Sequence, residues 1–111
     1  MMPLVLLTID MVPLDQSVGE KELLSVIAPC LNRLKALKGS FDRRTDIALS
    51  VCPREQEDGS EKLTARVALA ISVGKDRAQH LLGVFDAYAS LLRYELPGFL
   101  VYSHQEILKF Q

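Results

Sequence analysis

Apolar side chains along the chain alternate between the spacing of a strand and the spacing of a helix. Pro3 to Val12 holds a nearly unbroken apolar and β-branched run, Leu4, Val5, Leu6, Leu7, Thr8 and Ile9, of the kind that fills a buried strand. Pro13 is expected to stop its ladder. Ser17 followed by Glu20 has capping-box spacing, in which the hydroxyl accepts the third helical amide and the carboxylate reaches back. A helix is therefore expected from Ser17. Leu23, Ile27, Cys30, Leu31, Leu34 and Leu37 then recur at helical spacing and share one face as far as Lys38, with Gly39 as C-cap. Pro29 lacks the amide that would bond the Ser25 carbonyl, which predicts a kink near Ser25 to Pro29 or a helix broken in two.

Two blocks with strand alternation follow. Thr45 to Cys52 sets Ile47, Leu49 and Val51 on one face and Ala48, Ser50 and Cys52 on the other. Residues 53–61, PREQEDGSE, are polar and turn-rich and read as a loop too long for a tight hairpin turn. From Leu63 to Val73, Leu63, Ala65, Val67, Leu69, Ile71 and Val73 alternate with Thr64, Arg66, Ala68, Ala70 and Ser72. After Gly74 to Asp76, Ala78, Leu81, Leu82, Phe85, Tyr88, Ala89 and Leu92 trace a second amphipathic helix to about Glu95. Pro97 and Gly98 end it. Phe99 to His104 is a last strand, which Gln105 to Gln111 either extends or leaves.

The order β-α-β-β-α-β is that of a ferredoxin-like α+β fold, a four-stranded antiparallel sheet with two helices on one face. One such domain accounts for residues 1–111. The sheet face turned away from the helices then carries Ala48, Ser50, Cys52, Thr64, Arg66, Ala68, Ala70 and Ser72. A solvated sheet face normally bears longer charged side chains, whereas small ones admit another sheet or a partner backbone. Ala48, Ser50, Thr64, Arg66, Ala68, Ala70 and Ser72 are the expected interface, and a homodimer through sheet faces or edges is its expected form. No aromatic side chain stands in that row for bases to stack upon, which argues against single-stranded RNA recognition of the kind that uses a sheet platform. Arg66, the one cation of the row, is expected to pair with a nearby carboxylate.

Composition narrows the function classes. Apolar residues make up 49% of the chain and charged ones 24%, the balance of a folded globular domain. Thirteen basic against fourteen acidic side chains leave a net charge of −1, too little field to draw the whole molecule to DNA or anionic lipid. The apolar run from Pro3 to Ile9 is far short of the ~20 residues a membrane span needs, and the cytoplasm is the expected location. Cys30 and Cys52 have no ligand companions at zinc spacing and read as reduced packing residues.

Chemistry-bearing residues are sparse, and no catalytic constellation, metal site or cofactor motif is expected. Asp10 and Asp15 lack a third ligand for a divalent cation, and Gly19 next to Glu20 and Glu22 makes a poor anion site. His80 and His104 have no neighbouring nucleophile. Glu55, Glu57, Asp58 and Glu61 read as a solvated loop. Lys35, Lys38, Arg43 and Arg44 form the one basic cluster, a weak RNA contact at most.

The stretches PLDQSVGEKELLSVIAPCLNRL and TARVALAISVGKDRAQ, with EIL near the end, resemble the small bacterial YlxP-like proteins, Ser17 and Lys21 falling on that family's helix start. The resemblance implies a ferredoxin-like fold and a place near translation and ribosome maturation, and hence a protein or ribosomal partner. Tyr94, Glu95, Leu96 and Pro97 with the strand after them are similar to the CutA-like proteins. The functions expected are, first, a non-enzymatic interaction module that self-associates and docks on a larger assembly. A small-ligand or metal-binding regulatory domain using the turn from Asp10 to Gly19 is the second, and a weak RNA or ribosome contact the third.

Overall fold

A computed structural model, which describes residues 3–39 and 47–108, has six elements. They are β1 (Leu4–Pro13), α1 (Glu20–Gly39), β2 (Ile47–Glu55), β3 (Glu61–Ser72), α2 (Lys75–Glu95) and β4 (Phe99–Leu108). All strand pairs are antiparallel, and the sheet order is β2-β3-β1-β4. This is the ferredoxin-like arrangement that the alternation of periods predicts.

Strand periodicity sorts the side chains into two layers. Val5, Leu7, Ile9 and Met11 of β1 and Ala65, Val67, Leu69 and Ile71 of β3 are buried against the helices. α1 supplies Leu23, Ile27, Cys30 and Leu34 to the same core, and α2 supplies Ala78, Leu81, Phe85 and Leu92. Each Val, Leu, Ile, Phe or Met among them taken fully out of water contributes about 1.5–3 kcal/mol, and that burial holds the layers together. Two polar contacts join the helices: Arg33 Nη1 reaches Glu95 Oε2 at 2.5 Å, and the Tyr88 hydroxyl donates to the Cys30 carbonyl at 3.2 Å.

Five local expectations are corrected or settled. Ser17 does not cap α1. Its hydroxyl and amide both donate to Asp15 Oδ1, at 2.7 and 2.9 Å, and the helix starts at Glu20 with Leu23 N–H bonded to the Gly19 carbonyl. An Asx turn has outcompeted the capping box. Pro29 lies inside one unbroken helix. Pro29 and Ser25 are both exposed, so the carbonyl that loses its partner there faces water.

Pro13 does not stop the first ladder but forms its last rung, opposite Phe99. Leu14 N–H bonds the Gly98 carbonyl and Val73 N–H bonds the Pro3 carbonyl, so odd-numbered residues of β1 point their amides toward β3. Pairing with β3 ends at Met11, and the missing amide of Pro13 therefore costs no bond. Pro53 is likewise inside β2 and not in a loop, because its nitrogen faces the free outer edge of that strand. The long loop is in fact a tight hairpin. Gln56 N–H bonds the Ser60 carbonyl at 2.7 Å, Gly59 N–H bonds the Gln56 carbonyl at 2.9 Å, and Gly59 takes the left-handed φ of +85°. β4 continues through Gln105 to Leu108, which settles that alternative, whereas Thr45 lies outside the described residues.

Candidate functional site

On the sheet surface opposite the helices the strand registers align side-chain rows, with Cys52 opposite Thr64 and Val12 opposite Leu100 at one end. One runs Ser50, Arg66, Asp10, Tyr102 and the next runs Ala48, Ala68, Thr8, His104. A third holds Ala70, Leu6 and Glu106, and a fourth Ser72, Leu4 and Leu108. The face is thus mostly small on β2 and β3 apart from Arg66, aliphatic at Leu4 and Leu6 of β1, and larger and more polar along β4.

Ala48, Ser50, Cys52, Arg66, Ala68, Ala70 and Ser72 all lie on this face and are exposed or half-buried. Thr64 shares the face but is only 1% exposed, so it presents no surface to a partner. Its Oγ1 donates to the Lys62 carbonyl at 2.9 Å, and the Gln56 side chain reaches it from the hairpin. Leu4, Leu6, Thr8, Tyr102 and His104 escape the sequence reading, because β1 is apolar on both faces and its alternation carries no sign. Knowing that β1 lies between β3 and β4 supplies the missing parity.

Arg66 and Asp10 meet at the centre as a bidentate pair, Nε to Oδ1 at 2.7 Å and Nη2 to Oδ2 at 2.8 Å. The hydrogen bond to Asp10 raises the Arg66 pKa against a smaller opposing effect of burial. Asp10 is thereby engaged, and Asp15 is held in its own turn, where the Ser17 backbone and side-chain hydrogen bonds lower its pKa. Among the described residues no group of three or more His, Cys, Asp and Glu side chains is placed to hold a metal ion. Both carboxylates between Asp10 and Gly19 are thus engaged within the chain.

The hairpin tip from Glu55 to Asp58, with Lys62, Leu100 and Tyr102, borders an open concavity of about 320 Å³ at one end of the face. Leu100 and Tyr102 are 38% and 50% exposed there. Asp58 is committed to the turn, since the Ser60 hydroxyl and amide hold its pKa below the usual carboxylate value.

The other candidates are dispersed. His80 lies on α2 and His104 on the open face, with the sheet between them. Cys30 is buried under α1 and Cys52 stands on the open face, so they are unpaired. Burial pushes the Cys30 thiol up, and burial likewise raises Tyr88, whose hydroxyl is bound to the Cys30 carbonyl. Lys35 is exposed on α1, while Arg43, Arg44 and the Lys38 side chain lie outside the described residues. No described helix is long and apolar enough to cross a membrane.

No protein-family model and no curated protein match the sequence. Among solved structures, the de novo designed protein Foldit4 is similar at a TM-score of 0.55 and 10% identity, over 94% of this chain and 96% of that one. A phage SAM lyase in complex with S-methyl-5'-thioadenosine is similar at a TM-score of 0.36 and 10% identity, over 96% of this chain and 89% of the lyase. At these identities the likeness to Foldit4 concerns the path of the chain alone, and the path it supports is the ferredoxin-like one.

Proposed function

We propose that the chain is a non-enzymatic interaction module that self-associates through its sheet and docks on a larger assembly. The observation that carries this reading is the uncovered face. Small side chains at Ala48, Ala68 and Ala70 adjoin the half-exposed aliphatics Leu4 and Leu6, with Tyr102 and Leu100 along the rim. At the centre of the face charge does not oppose contact, because Arg66 and Asp10 neutralise each other there. Unpaired Cys30 and Cys52 suit a reducing compartment such as the cytoplasm. The ribosome is the assembly that the YlxP-like resemblance implies.

The test is hydrodynamic. The unaltered chain is expected to sediment with a mass that rises with concentration toward the dimer. Ala68→Arg, which plants a long cation amid the small residues, is expected to weaken contact through the face and so lower that mass at a given concentration, with its circular dichroism unchanged. A wild-type chain that stays monomeric at millimolar concentration overturns the reading.

A further inference from the structure

The two edges of the sheet differ. β2 carries Pro53 and Arg54, features that blunt an edge against pairing. β4 runs from Phe99 to Leu108 without a proline, and among the described residues no strand pairs with its outer side. Because Leu14 N–H bonds the Gly98 carbonyl, even-numbered residues of β4 bond β1 and odd-numbered ones turn their backbone groups outward. α2 already holds part of that edge: Arg93 Nε donates to the Val101 carbonyl at 3.0 Å and Nη2 to Ser103 Oγ at 3.3 Å. The Gln105 side chain donates to the Asp86 carboxylate of α2 and so is turned toward the helix layer. Among the described residues, the outward backbone groups at Ser103, Gln105 and Ile107 are left for pairing.

We propose that this edge pairs with a second copy of the chain, two β4 strands running antiparallel about a two-fold axis at Gln105. The proposal rests on the self-association reading and adds an edge contact to the face contact that Ala68→Arg tests, since Ala68 on β3 lies two strands in from β4. In this register Gln105 faces Gln105 of the second copy, and Ser103 faces Ile107. On the open face His104 then stands opposite Glu106 of the second copy, and Tyr102 opposite Leu108, each pair occurring twice by symmetry. Moving the axis one residue toward Leu108 sets Glu106 against Glu106. Moving it the other way sets His104 against His104 and requires the Val101 carbonyl that Arg93 occupies. The avoided Glu106–Glu106 contact and the occupied carbonyl thus select one register, in which two open faces join into a continuous eight-stranded surface.

Disulfide trapping tests the register in the full chain, with Cys52→Ser to remove the surface thiol and Cys30 left buried. His104→Cys and Glu106→Cys are made in separate chains. A non-hydrogen-bonded antiparallel pair sets Cα atoms about 4.5 Å apart, inside the disulfide range of about 4.4–6.8 Å. The same residue in the two copies is diagonal, about 7–8 Å away. Mild oxidation of the mixture is expected to give on the order of tenfold more linked dimer than either chain alone, by that spacing. Equal linking in the separate chains, or none in the mixture while sedimentation reports a dimer, overturns the edge register and leaves self-association standing. A monomer throughout overturns both.

Discussion

The ion pair at the centre of the open face can be removed without touching the core. Arg66 and Asp10 form two parallel bonds of 2.7 and 2.8 Å, the fork geometry that makes an arginine–carboxylate pair stronger than a single contact. Their side chains are 38% and 21% exposed, however, so water screens much of the Coulomb attraction. Fork geometry places the pair at the upper end of the range for exposed pairs, and exposure keeps it there, which gives a coupling of about 1 kcal/mol. A double-mutant cycle of Asp10→Asn and Arg66→Gln, read by urea unfolding, measures that number. Either single variant is expected to lower Tm by about 4 °C, the shift that ~1 kcal/mol produces in a chain of this length. In about 1 M salt, where the screening length falls to ~3 Å, the coupling should shrink. A coupling below about 0.3 kcal/mol at low salt, within the usual error of additivity, would refute the reasoning.

Three further outcomes are expected. Ellman's reagent should modify Cys52 in the folded chain and spare Cys30, which is 4% exposed, until denaturant opens the core. Because Cys30 and Tyr88 are raised above 9.0 and 10.0 in the folded chain, the unfolded chain loses those protons first as pH rises. Urea midpoints should therefore hold below pH 9 and fall above it, and Tyr88→Phe should reduce the part of the fall that follows pH 10. Gly59→Ala should cost about 1 kcal/mol of unfolding free energy, since φ is +85° while a Cβ meets nothing within 4 Å, and Gly59→Asn should cost less.

The elements were legible where one side of a segment is buried and the other is not. Leu63 to Val73 and Ala78 to Leu92 show clean periods because each packs a single face on the core. Boundaries were less legible where two local preferences compete. Ser17 had both an Asx partner two residues before it and a capping partner three residues after it, and only the path of the chain decides between them. Pro13 and Pro53 mislead for a related reason: a proline breaks a ladder only if its nitrogen faces a neighbouring strand, and that depends on sheet order.

The candidate surface was half legible. Its small-residue part on β2 and β3 follows from alternation, but Arg66 could be matched to Asp10 only once β1 was known to lie beside β3. The contribution of β4 was hidden twice over, since Tyr102 and His104 alternate with Val101 and Ser103 and no sequence feature marks which pair faces the helices. The burial of Thr64 is not legible in the sequence, because the side chain that reaches it, Gln56, belongs to a polar stretch whose hairpin geometry the pattern of residues does not show.

Amide and methyl NMR spectra of the chain recorded across a dilution series test most directly whether the sheet is the surface of association. Signals from Leu6, Ala48, Ala68, Ala70 and the outward residues of β4 are expected to move together with concentration, while Leu24 and Tyr94 on the helices stay fixed. Shifts confined to the helices, or spectra that do not change with concentration, would contradict the account.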